Sequence, residues 1–198
     1  MPNPCAPAPL DSTSVCVGLF GTCGTTTWRQ QFIETYTNLE IAYYNPQVKE
    51  WTPEFALVEA DHLLHDDIVL FAVTAQTYST GSLAETGYAL QVLKRIDYMR
   101  GHRRVIVYIE QGLDLELVRE NPIAAKESMR ARALVAAHVG KVKETHCYVV
   151  NSMPEMLMLS IQLYPAVAAM KKANEAVHAA QVWLDQIRSE HNIRVLTK

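Results

Sequence analysis

The chain has 198 residues, 49% hydrophobic and 20% charged, with a formal net charge of -3. That length supports one substantial core. No block of Lys and Arg stands out, which argues against a nucleic-acid polymer, whose phosphates need clustered cations, and leaves a single nucleoside open. The four cysteines (Cys5, Cys16, Cys23, Cys147) show no CxxC or zinc-like pairing. Residues 1–14 lack the apolar core of a secretory signal, and no apolar run reaches the ~18 residues of a membrane span. A reduced, cytoplasmic protein without a membrane partner is expected.

Residues 1–14 carry four of the nine prolines and no periodicity, and read as a disordered tail. Val15 to Phe20 reads as a central strand, apolar on both faces. Gly21-Thr-Cys-Gly24 is a tight turn, followed by a helix with Thr25 or Thr26 as N-cap and Trp28, Phe32 and Tyr36 along one face. Leu39 to Tyr44 is a second strand, closed by Asn45-Pro46. Thr52-Pro53-Glu54 opens a helix to about His65, and Asp67 to Thr74 is a buried strand. A helix over Ser82–Arg100, a strand over Arg104–Ile109, a helix from Pro122 to about His138 stopped by Gly140, and a short strand over His146–Val150 follow. From Met153 to about Asn192 the pattern is helical, with a break or kink at Pro165.

Strands alternating with helices predict an α/β flavodoxin- or Rossmann-like sandwich, with about five mostly parallel strands and helices on both faces. The expected division is a tail over 1–14, an α/β domain over 15–152, and a helical extension over 153–198. Val167, Met170, Ala173, Val177, Ala180, Trp183, Leu184 and Ile187 recur at three-four spacing in that extension. Part of it covers the sheet, and the remainder is expected to pack on another copy, making a homo-oligomer.

Four features bear on chemistry. Gly18, Gly21 and Gly24 are spaced G-x-x-G-x-x-G, which is neither the dinucleotide fingerprint nor a Walker A loop. The loop, with Thr22 and Cys23, reads either as a backbone cradle for a ligand or as a tight turn needing glycine for its angles. Cys23 reads as an inert thiol. His62 and His65, beside Asp61 and Asp66, raise the question of a metal, but no third ligand is apparent and none is assigned. Asp67 opens a strand and reads as a sheet-edge residue. Finally, Glu85 lies just past the carboxyl end of a strand, where open α/β sheets bind ligands. Ser82-Leu-Ala-Glu85 fits a capping box, which explains both residues structurally. The alternative is a held, ionised carboxylate suited to covalent catalysis at a sugar carbon. Phe20, Trp28, Tyr44, Trp51 and Tyr78 are candidate base-stacking aromatics.

Several pieces, in order, resemble the nucleoside 2-deoxyribosyltransferase family, in its divergent deoxyribosyltransferase-like branch. They are Val17-Gly-Leu-Phe-Gly-Thr-Cys-Gly24 with Trp28-Arg29; Tyr43-Tyr-Asn-Pro-Gln47 with Trp51; Asp67-Ile-Val-Leu-Phe71; and Gly81-Ser-Leu-Ala-Glu-Thr-Gly-Tyr88. The resemblance implies a flavodoxin-like fold and Glu85 as nucleophile, attacking the anomeric carbon of a nucleoside and expelling the base. The resulting glycosyl ester passes to a second base or to water. It also implies Glu59 as an assisting acid and Gln47 as a base contact. Asn45, Trp51, Gly81 and Ser82 belong to the same motifs. An Asp common six residues before the nucleophile is Ser79 here.

The expected substrate is therefore a nucleoside or nucleotide plus a free base, with no cofactor and no metal. Two alternatives stay open. One is hydrolysis of nucleoside 5'-monophosphates, with Arg29 and the 21–27 loop as phosphate contacts. The other is a non-catalytic nucleotide sensor in which Glu85 only caps its helix.

Overall fold

The computed structural model describes residues 14–50, 52–95, 101–142 and 146–190. Positions 1–13 of the expected tail (1–14) and Trp51 lie outside them. Five strands, β1 (Val17–Gly21), β2 (Tyr43–Tyr44), β3 (Ile68–Val73), β4 (Arg104–Ile109) and β5 (Cys147–Val149), form one parallel sheet in the order β2-β1-β3-β4-β5. The sandwich read from the alternation of strands and helices is therefore present. Every residue of β1 and β3 is buried, as continuous apolar strands covered on both faces must be.

Six helices connect and cover the sheet: α1 (Trp28–Asn38), α2 (Pro53–His65), α3 (Thr80–Arg95), α4 (Leu115–Glu120), α5 (Pro122–Lys141) and α6 (Met153–Glu190). The pleat sends alternate residues of each strand to opposite faces. Val17, Leu19, Ile68, Leu70 and Ala72 pack with Phe32 and Tyr36 of α1 and with Met156, Leu157 and Val167 of α6. Phe20, Val69, Phe71, Val105 and Val107 pack with Leu63 of α2, Ala89 and Leu90 of α3 and Val139 of α5.

Several boundaries differ from the sequence reading. The residue before α1 is Thr27, and no side chain caps that helix; Thr26 instead turns inward, its hydroxyl bonded to the Thr22 carbonyl (2.9 Å). The second strand shrinks to two residues. Gly140 lies within α5, because a helix tolerates glycine near its end at modest cost. The short helix α4 was not anticipated. Pro165 does not break α6, which runs through it for 38 residues. Proline removes one backbone bond, and burial on both sides of it, at Leu157 and Val167, holds the helix in place. No helix among the described residues is long and apolar enough to cross a membrane.

The amino edge is closed by Asp67, 4% exposed, which accepts from the Cys16 amide (3.0 Å), His102 (2.8 Å) and Lys171 of α6 (3.1 Å). Burial pushes this carboxyl up, but His102, Lys171 and the Cys16 amide together hold it below its ordinary value. As its place at the start of a strand suggested, Asp67 is a sheet-edge residue.

Candidate active site

The strand order reverses between β1 and β3, so the carboxyl ends of these two strands flank the switch point where open α/β sheets leave a crevice. A cavity of about 400 Å³ lies there, within the size range of small-molecule sites. Its wall brings together Gly21, Cys23, Glu59, Ser79, Gly81, Ser82 and Glu85, all singled out in the sequence, with Phe20 and Pro46 beside them.

Glu85 owes its position to the start of α3. Ser82 is not the N-cap. The helix begins at Thr80, Ser82 lies within its first turn with its carbonyl accepting from the Thr86 hydroxyl (2.7 Å), and Glu85 falls in the second turn. The capping box therefore does not form, and no described residue hydrogen-bonds the Glu85 carboxylate. Burial, and then the charge of Glu59, push the carboxyl above its ordinary value, while Arg29 draws it back. This direction is opposite to the one a position in the first turn of a helix would favour.

Ser79 precedes α3 in the left-handed region (φ 53°), an uncommon conformation for a residue with a Cβ. Four contacts hold its hydroxyl: Thr22 Oγ1 at 2.8 Å, Thr77 Oγ1 at 3.2 Å, the Thr77 carbonyl, to which it donates at 3.4 Å, and Nη2 of Arg132, which donates to it at 3.2 Å. Thr22, fully buried, also accepts from the Thr74 amide (2.9 Å). It thus ties the loop after β1 to the loop after β3.

Two buried arginines stiffen these loops. Arg29, 1% exposed, donates to the carbonyls of Leu19 (2.8 Å), Thr22 (2.7 Å) and Gly21 (3.0 Å) and to the Cys23 sulfur (3.4 Å). It is bound inward, so of the two phosphate contacts expected for 5'-monophosphate hydrolysis it is the 21–27 loop, not the Arg29 side chain, that faces outward. Arg132, 0% exposed, donates to the carbonyls of Thr74 and Thr77 (2.8 Å each) and of Glu110 (3.0 Å). Nothing in the sequence pointed to Arg132, since an arginine amid the charges of α5 reads as a solvated face.

Gly21 serves close approach. Its φ is 126°, and a Cβ there would stand 2.3 Å from the Ala72 carbonyl oxygen. Gly18 does not belong to the loop; it sits in mid-strand, where a Cβ would meet the Phe20 ring and Asp66. The G-x-x-G-x-x-G spacing therefore mixes two unrelated requirements. Desolvation, with the charges of Glu59 and Glu85, raises the Cys23 thiol above its ordinary value against the pull of Arg29, although the side chain is exposed at the surface.

The remaining predicted residues stand behind the wall. Trp28 donates from Nε1 to the Thr22 carbonyl (3.0 Å), lies under the Arg29 guanidinium and packs edge-on against Phe32. Asn45 accepts from the Gln47 amide (3.0 Å), and the Gln47 side chain donates to the Gly24 carbonyl (2.7 Å). These residues shape the loops rather than line the cavity. A larger cavity, about 570 Å³, opens at the ends of β4 and β5. Its carboxylate, Glu110, already accepts from the Tyr108 hydroxyl (3.1 Å) and the Ala75 amide, so the smaller cavity is the one with an uncommitted acid.

Residues 15–100 match the family described as "Nucleoside 2-deoxyribosyltransferase like". No curated protein matches the chain. A crystal structure of a conserved protein from Enterococcus faecalis V583 aligns with a TM-score of 0.40 at 12% identity, over 73% of this chain and 96% of that one.

Proposed function

Residues 15–100 match the nucleoside 2-deoxyribosyltransferase-like family, and on that likeness we propose that the chain cleaves the N-glycosidic bond of a nucleoside with Glu85 as nucleophile. One observation carries the reading: at the β1/β3 switch point, Glu85 presents a half-buried carboxylate, with no hydrogen-bond partner among the described residues, to a cavity whose wall also includes Glu59.

The ionised Glu85 oxygen attacks the anomeric carbon as the bond to the base breaks. Its negative charge stabilises the oxocarbenium-like transition state, and the bonding pair leaves with the base, which takes up a proton. Glu59 is the wall acid placed to hand over that proton or to hold the sugar or base. A second base, or water, then displaces Glu85 from the sugar and restores the carboxylate. Ser79, a hydroxyl, does not serve as an acid near neutral pH. It orders the loop through Thr22 and Arg132.

Incubation of the protein with deoxyinosine and adenine tests this directly. Chromatographic appearance of deoxyadenosine is the expected result. Release of hypoxanthine alone would make the chain a hydrolase acting through the same Glu85 ester. Binding without either product would overturn the catalytic reading in favour of a sensor.

A further inference from the structure

At the end of the sheet opposite Glu85, Cys16 meets two residues far from it in sequence, His62 and Asp66. Cys16 lies just before β1, His62 on the last turns of α2, and Asp66 at that helix's end, its amide bonded to the His62 carbonyl (2.8 Å). One ligand atom from each lies within 4.8 Å of the others. The His62 ring is fixed on two sides: Nδ1 meets Asp66 Oδ1 at 2.9 Å, and the ring stacks on Tyr44 with centroids 3.6 Å apart and planes 3° apart.

A second observation makes this more than a cluster. Asp66 is 4% exposed, and its Oδ2 meets no nitrogen or oxygen donor among the described residues; besides His62, the Cys16 thiol is the one side chain set to hydrogen-bond this carboxyl. A buried carboxylate oxygen with only a weak thiol donor is costly and rare. That oxygen occupies the space left by Gly18, where a Cβ would stand 2.6 Å from it. The neighbouring Asp67 is engaged elsewhere, by the Cys16 amide, His102 and Lys171.

We propose that Cys16, His62 and Asp66 bind a divalent cation of the zinc class at the amino edge of the sheet. A thiolate, an imidazole and a carboxylate form a donor set that favours Zn²⁺ or Co²⁺ over Mg²⁺ or Ca²⁺. Water completes a tetrahedron, and the Cys16 thiol releases its proton to solvent as the metal binds. The stacked Tyr44 orients the histidine as a supporting neighbour does in metal sites. The ion would link the start of β1 to the end of α2. It takes no part in chemistry at Glu85, which lies roughly 20 Å away along six residues of strand at ~3.3 Å each.

The sequence-based objection to a metal, the lack of a third ligand, fails because Cys16 lies 46 positions from His62. His65, the partner first considered, instead bonds Asp61 (3.0 Å).

The test is Co²⁺ titration of the full chain after chelation. One equivalent and a near-ultraviolet sulfur-to-cobalt charge-transfer band are expected. The band should vanish in Cys16→Ser and persist in Cys147→Ser, and Zn²⁺ should displace it. His62→Phe, which preserves the stack on Tyr44, should weaken binding by at least about tenfold and abolish the rise in melting temperature that Zn²⁺ gives the wild type. No band in the wild type, or a band that survives Cys16→Ser, overturns the site. If Cys16→Ser does not fold, the wild-type band and the His62→Phe titration decide. Neither readout depends on Glu85, so either proposal can fail alone.

Discussion

The hydroxyls of Thr22 and Ser79 lie 2.8 Å apart, a buried contact that joins the loop after β1 to the loop after β3. Thr22 closes this bridge by accepting from the Thr74 amide, and Arg132 closes it from beneath by donating to Ser79. Replacing Thr22 by Val orphans the buried Thr74 amide and should cost roughly 1–3 kcal/mol in urea unfolding. Ser79→Val adds a β-branched side chain at φ 53° and should also cost about 1–3 kcal/mol. Ser79→Asp, a residue that tolerates this conformation and faces the Arg132 guanidinium, should fold with smaller loss. Equal destabilisation by Val and Asp would contradict this account of Ser79.

Glu85→Gln should abolish base exchange without loss of stability. Burial and Glu59 raise the Glu85 carboxyl above 4.5, so the folded chain binds this proton more readily than the unfolded chain does. Ionisation of Glu85 therefore subtracts stability as pH rises from the unfolded value through the folded one, and a neutral glutamine removes that loss. A melting temperature for Glu85→Gln well below wild type at neutral pH would point back to a structural role.

The same shift predicts the acid limb of kcat/KM. Activity needs the carboxylate, so it should rise with pH through a midpoint above 4.5. Glu59→Gln removes the neighbouring negative charge and should move that midpoint down, whatever it does to the maximum rate. A midpoint unmoved or raised in Glu59→Gln would show that the two acids do not share the cleft's field.

Arg29→Met should strip the carbonyls of Leu19, Gly21 and Thr22 of their shared donor. The expected loss is about 1–3 kcal/mol, because the Thr22 carbonyl keeps Thr26 and Trp28 as donors and the Gly21 carbonyl keeps the Cys23 thiol. Arg29→Lys keeps the charge but lacks the planar fork, and should fall between. Denaturant unfolding reads both, and indifference to Arg29→Met would mean that the loop is held by other contacts.

On α6, Ala173, Val177, Ala180, Leu184 and Ile187 repeat at alternating steps of four and three, while Val177 and Leu184 are 58% and 40% exposed. That spacing is a coiled-coil seam, and it motivates the proposal that α6 joins copies of the chain. Val177→Asp with Leu184→Asp should shift sedimentation velocity to a smaller species without loss of helix signal. An unchanged sedimentation coefficient would count against this helix as the interface.

The alternation of apolar strands and periodic helices made the layer order legible, because strands buried on both faces and helices with one apolar stripe pack in few ways. It also placed Glu85 just beyond the third strand, at the edge where ligands bind. Local signatures failed where they had to fix a register. Ser82-x-x-Glu85 has the spacing of a capping box, but hydroxyl contacts from Thr22 and Arg132 hold Ser79 before the helix and start it at Thr80. Pro165 reads as a break or kink, yet α6 runs through it unbroken, with buried residues on both sides.

What the chain order alone determined is the sheet, the switch point and a carboxylate near it. What only the tertiary structure decided is which groups meet. Glu59 beside Glu85, Arg29 and Arg132 turned inward on loop carbonyls, and Cys16 beside His62 and Asp66 all depend on segments far apart in sequence. Hydrophobic periodicity reports which face of an element is buried. Which polar group lies opposite it depends on the register between elements, and that register is set by packing across the whole core.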